Sequence, residues 1–188
     1  MTEQPTDEEL MRRIARGDGD AVATLYHRHG KALLLWFRKM LSQDHERAQD
    51  LLQDVFVRIV DQAKRYQSGR PFRPWMYTIA WNLLKNEFRY RMARPHAVHD
   101  ADLLPSDVEL PDTLADQATL RKALTHALEH LSPEHRAVVA LRWYQDLPLQ
   151  DIAEILGVPL GTVKSRCHAA LKQLQASLAS FASTGDLQ

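Results

Sequence analysis

The chain has 188 residues, 45% of them apolar, and its 24 Lys/Arg are balanced by 24 Asp/Glu. That length allows one large domain or two small ones with real cores. No run of about 18 apolar residues offers a membrane span, and one cysteine excludes an internal disulfide framework.

The opening decapeptide MTEQPTDEEL is acidic and polar, so no signal peptide and a cytoplasmic location are expected. Thr6-Asp7-Glu8-Glu9 has the form of a capping box that opens a short helix to Arg16. Gly17 to Asp20 breaks it. A second helix is expected from Ala21 to about Leu41, burying Val22, Leu25, Leu33, Trp36, Phe37 and Met40. A third runs from Asp44 to Tyr66, with Ala48, Leu51, Leu52, Val55, Phe56, Ile59 and Val60 at helical spacing. The loop Gln67 to Pro71 leads into a fourth, from Phe72 or Pro74 to about Met92. Four such helices can share one core.

Pro95 to Pro111 holds three prolines, several acids and few bulky residues, and reads as an extended linker. Asp112 to Leu131 reads as helical, and Ser132-Pro133 caps a further helix through Trp143. The chain closes with LPLQDIAEILGVPLGTVKSRCHAALKQL, Leu147 to Leu174. Here Ile152, Ala153 and Leu156 share a face, Gly157 is a natural stop, and Pro159 suits the first turn of a new helix. Val163, Cys167, Ala170, Leu171, Leu174 and Leu178 then form an apolar stripe. This is the helix-turn-helix pattern, whose second helix enters the major groove. An ordinary helical hairpin shares the periodicity, but lacks the turn chemistry and the absence of acids between Glu154 and Asp186. The fold expected is all-α: two small helical domains, residues 1–94 and 112–182, joined by an acidic linker, 95–111, with a tail at 183–188.

Zero net charge hides opposed segments. Arg58 to Arg94 holds nine Lys/Arg against two acids, while Pro95 to Leu120 holds six acids and no Lys/Arg. The basic segment, Phe72 to Arg91, mixes aromatics with cations, as unpaired DNA requires: rings to stack on bases and charges to hold phosphates. Ile79 and Leu83 read as core; Trp81, Asn82, Lys85 and Arg89 read as outward. On the third helix Leu51, Leu52, Val55 and Phe56 face inward, leaving Asp50, Gln53 and Asp54 on an exposed acidic and amide face. The histidine pairs lack further ligands at metal spacing, and no catalytic constellation is visible, so neither a cofactor, a metal nor an enzyme is expected.

Three strings carry a family resemblance. Ala48 to Phe56 resembles the pattern A-E-D-x-x-Q-E-x-F; Phe72 to Arg89 resembles F-x-x-W-L-x-x-I-A-x-N-x-x-x-D-x-x-R; and Asp151-Ile152-Ala153 with Pro159 to Arg166 resembles the promoter-reading helix-turn-helix. All belong to the extracytoplasmic-function (ECF) group of bacterial sigma factors. Gln49 and Asp54 stand where Glu is common, and Asn86 where Asp is common. The resemblance implies sigma region 2 followed by region 4, and the function of directing transcription initiation. It implies that Asp50, Gln53 and Asp54 dock on the clamp helices of core RNA polymerase, whose flap is also a partner. Trp75, Thr78, Trp81, Asn82, Lys85 and Arg89 would meet the −10 element, with the loop Gln67 to Arg73 beside an extruded base. Thr162, Lys164, Ser165, Arg166 and His168 would meet the −35 element. It also implies an anti-sigma protein and a linker that threads the RNA-exit path. The alternative is a free-standing helix-turn-helix regulator.

Overall fold

Thr6 opens the first helix with a reciprocal cap: its hydroxyl accepts from the Glu9 N–H and its own N–H donates to the Glu9 carboxylate. The computed structural model describes residues 4–42, 44–67, 69–93 and 123–185. Helix α1 spans Asp7–Ile14, α2 Gly19–Met40 and α3 His45–Gln62; a 3₁₀ turn, Ala63–Arg65, follows, and α4 spans Phe72–Ala93. Asp18 and Asp44 cap α2 and α3 through their carboxylates, which satisfies N–H groups that no helix can satisfy internally.

Residues 123–129 form α5. Helix α6, Pro133–Val139, has Ser132 as its cap and runs into a π-helical turn, Ala140–Tyr144. Helices α7, Leu149–Leu156, and α8, Leu160–Gly185, complete the helix-turn-helix. Gly157 ends α7 at φ +67°, a left-handed conformation that a glycine takes without steric cost. Pro159 stands just before α8, its carbonyl accepting from the N–H groups of Thr162 and Val163. The described residues are all-α, without a strand. The linker, 95–111, residues 112–122 of the expected helix, and residues 186–188 of the tail lie outside them.

The helices bury two clusters. A small one joins Ala127, Leu128, Leu131, Val139, Ala170 and Leu174, and so seats α5 and α6 on α8. The large one runs from Leu10 through Trp36, Val55 and Leu84 into Leu141, Ile152, Ile155 and Val163. The first four helices and the helix-turn-helix therefore share one continuous core.

Three expected core residues stand outside it. Val60 is 45% exposed and Leu171 is 40% exposed. At about 100° per residue, each falls well round the helix from the buried line of its neighbours. Leu178 is half-buried.

Candidate nucleic-acid interface

Helix α4 starts where three elements meet. The Glu8 carboxylate on α1 accepts from the Phe72 N–H at 3.1 Å and so caps α4 from outside its own chain segment. The Tyr66 ring meets Trp75 edge-on, with centroids 4.9 Å apart. Its hydroxyl donates to the Arg70 carbonyl, which closes the loop before α4. Burial, with Glu8 and Asp7 nearby, pushes the Tyr66 phenol up to about 12, so it remains a donor.

From there α4 presents a polar stripe. Trp75, Thr78, Asn82, Lys85 and Arg89 recur at three- and four-residue spacing, within about 80° of helix circumference. Asn82 and Arg89 are exposed; Trp75, Thr78 and Lys85 are half-buried. Trp81 departs from expectation. It is 4% exposed, and its indole N–H is buried without a hydrogen-bond partner. The reason is geometric: Trp81 lies at the edge of the arc that α4 buries, and α7 packs along that edge.

Helix α3 carries Asp50, Gln53 and Asp54 on its exposed side, opposite buried Leu51, Leu52 and Val55. Asp50 makes one long contact, 3.5 Å to Arg47. Val57, 58% exposed, extends this face one turn further.

On α8, Lys164, Ser165 and His168 are exposed, whereas Thr162 and Arg166 are half-buried. Arg166 is brought to α4. It lines a cleft of about 460 Å³ with Trp81, Lys85, Phe88, Arg89 and Val158. Cys167 is half-buried on the apolar stripe, and burial pushes its thiol up, away from reactive thiolate.

Four residues without a periodic signature join the halves of the chain. The Tyr77 hydroxyl donates to the Gln145 side-chain oxygen at 2.5 Å, and Arg73 donates to the Gln145 carbonyl at 2.7 Å. Arg136 donates to the carbonyls of Lys39 and Met40, at the C-terminal end of α2. The one available sign was an arginine directly before the apolar run from Ala137 to Leu141.

Comparison with known proteins identifies this arrangement. Residues 25–94 match sigma-70 region 2, and residues 127–176 match sigma-70 region 4. The chain belongs to the ECF group of the sigma-70 family. It is 32% identical over 187 residues to the ECF RNA polymerase sigma factor SigE of Mycolicibacterium smegmatis, covering 96% of this chain and 72% of that one. It is 28% identical to SigW of Bacillus subtilis, over 91% and 96% of the two chains. Among solved structures, CnrH in complex with the cytosolic domain of CnrY superposes with a TM-score of 0.69 at 24% identity, covering 93% of this chain and 97% of CnrH. The sigma factor RpoE of Bartonella quintana, in complex with the anti-sigma factor NepR, gives 0.67 at 23%, covering 84% and 96%. Both show the same fold. This sigma factor is a promoter-recognising initiation factor of RNA polymerase. A free-standing regulator would leave the region 2 match without a role. Among the described residues no helix is long and apolar enough to cross a membrane.

Proposed function

We propose that the sigma factor divides its work among three surfaces. Asp50, Gln53 and Asp54 on α3 dock on the basic clamp helices of the large polymerase subunit, where charge complementarity supplies on-rate and register. Trp75, Thr78, Asn82, Lys85 and Arg89 on α4 hold the opened −10 strand, stacking on bases and pairing with phosphates. Trp81, 4% exposed, supports this face from within instead of contacting bases. Thr162, Lys164, Ser165, Arg166 and His168 at the start of α8 read the −35 element in the major groove, with region 4 also meeting the polymerase flap. Region 2 is taken as residues 1–94, the linker as 95–111 and region 4 as 112–182. The factor performs no bond chemistry: it acts in the cytoplasm by differential binding.

The observation that carries this reading is the α4 stripe, because a lone helix-turn-helix regulator has no use for aromatic and cationic groups aligned on a second helix. An anti-sigma protein is a further proposed partner, since similar folds are seen bound to CnrY and to NepR. Run-off transcription on genomic fragments tests the proposal: start-site transcription is expected only when the sigma factor and core polymerase are both present. Tight, specific operator binding by the isolated chain, with no transcription on addition of core, would sink it.

A further inference from the structure

Helix α1 lies before residues 25–94, the segment that matches region 2. Leu10, Met11 and Ile14 on its apolar side cover the core. Its acidic first turn points elsewhere, to the place where α4 begins. Glu8 is half-buried, and its carboxylate accepts from the Phe72 N–H across 64 positions of chain. Asp7 beside it pairs with His29 at 2.7 Å, and the His29 ring lies against Phe72, with centroids 5.3 Å apart. The first turn of α1 thus fixes Phe72 twice, by its backbone and by its ring.

Helix α4 is poorly equipped to cap itself. Its first turn carries no acid, Pro74 has no N–H, and Pro71, directly before it, has no side-chain oxygen. The first N–H groups of a helix have no partner within that helix, and a carboxylate there also meets the positive end of the helix dipole. Glu8 supplies both the acceptor and the charge. The residue it anchors is the joint between two parts of the proposed −10 surface. Before the joint, Gln67, Arg70 and Pro71 are exposed. After it, Trp75 opens the polar stripe, its ring edge-on to Tyr66 and 6.0 Å from the Phe72 ring centre. Tyr66 ends the 3₁₀ turn on which α1 also packs. Phe72 itself is 1% exposed, so loop and stripe take their register from one buried, anchored residue. Groups that discriminate bases must be held in place by the shell behind them.

We propose that Glu8 is a positioning residue for −10 recognition: by capping α4 from α1 it holds Gln67, Arg70 and Trp75 in the register that discriminates bases. Glu8 itself touches no DNA, and its role rests on the assignment of α4 to the −10 strand. Glu8→Ala removes the acceptor. Glu8→Gln keeps an oxygen within reach of the Phe72 N–H and removes the charge. Each full-length variant is mixed with core polymerase. Transcription is read from a promoter found by run-off on genomic fragments, and from its single-base −10 and −35 variants. The ratio of matched to mismatched output does not depend on the folded fraction, so a merely structural role leaves it unmoved. Glu8→Ala is expected to lower the −10 ratio about fivefold, the worth of one helix cap, and to leave the −35 ratio at the parent value. Glu8→Gln is expected to restore most of the −10 ratio. An unchanged −10 ratio in Glu8→Ala overturns the proposal. Equal loss in both variants overturns the cap, because charge alone then carries the effect. Equal flattening of the −10 and −35 ratios overturns positioning in favour of a general defect. Asn82→Ala tests the underlying reading. If it leaves −10 discrimination intact, the assignment of α4 fails and takes the role of Glu8 with it. If it lowers discrimination while Glu8→Ala does not, the role of Glu8 alone fails.

Discussion

Arg47 donates to the Glu87 carboxylate at 2.9 Å, tying the first turn of α3 to the far end of α4. Arg91 holds the other oxygen of Glu87 at 2.8 Å and reaches back to Asp44, the cap of α3. Glu87 is 7% exposed, so these partners take the place of water as its hydrogen-bond donors. Glu87→Ala should cost about 1–3 kcal/mol, because it removes the shared carboxylate and leaves Arg91 with Asp44 alone and Arg47 with only its long contact to Asp50. Urea unfolding reads this; an unchanged midpoint would mean that water replaces the network without loss.

Docking should be separable from folding. Asp50→Lys together with Asp54→Lys is expected to weaken core polymerase binding by about 1–3 kcal/mol. Both side chains are exposed, so helical content should be preserved. Competition with the unaltered factor for core enzyme measures it, and equal affinity would remove α3 from the interface.

Two neighbours on α4 should behave differently. Trp81→Ala removes a buried indole and should cost about 3–5 kcal/mol of stability. Lys85→Ala should leave stability nearly unchanged and lower the permanganate-reactive open promoter by about 1.5–3 kcal/mol, the worth of one charge-assisted contact. A fully stable Trp81→Ala protein that fails only in promoter opening would return Trp81 to the DNA surface.

Arg166 and Lys164 should differ in kind. The Arg166 guanidinium has the fork geometry for a guanine edge. Arg166→Ala is therefore expected to cost about 1–3 kcal/mol at the −35 element and to relax preference at one base position. Lys164 is exposed on the flank, and Lys164→Ala should weaken all sequences alike and flatten the salt dependence by about one unit. Transcription from a panel of −35 variants at two salt concentrations tests both. Uniform loss with Arg166→Ala would make it a phosphate clamp.

Acid should loosen the N-terminal helix. Asp7 accepts from Arg28 at 2.9 Å and pairs with His29 at 2.7 Å. Burial opposes ionisation of Asp7, but the hydrogen bonds from His29 and Arg28 outweigh it and hold the carboxyl below its usual range. A lowered carboxyl stabilises the fold above its unfolded pKa, and that stability is lost as pH falls through the folded value. Asp7→Asn should thus be less stable than the parent near neutral pH, and the gap should close in acid. Thermal melts across pH 2–7 check this; a gap independent of pH would assign the effect to packing.

Local features were legible because their causes are local. The Thr6–Glu9 cap, the Ser132 cap and the left-handed stop at Gly157 each depend on residues within four positions. Apolar periodicity likewise found Leu51, Val55, Val163 and Ala170, and the exposed face of Asp50, Gln53 and Asp54.

The sequence by itself determined the all-α fold, the element order and the family, since these follow from short-range spacing and from motifs in a set order. Only the tertiary structure decided which side of α4 remains open. Trp81 is buried because α7, distant in the chain, lies against it. Gln145 meets Tyr77 across 68 positions, and Arg136 meets Met40 across 96. Val60 and Leu171 have apolar side chains at nearly helical spacing, yet no neighbouring helix covers them fully. Periodicity states which residues share a face of one helix; burial depends on what the rest of the chain brings to that face, and that is a property of the assembled core.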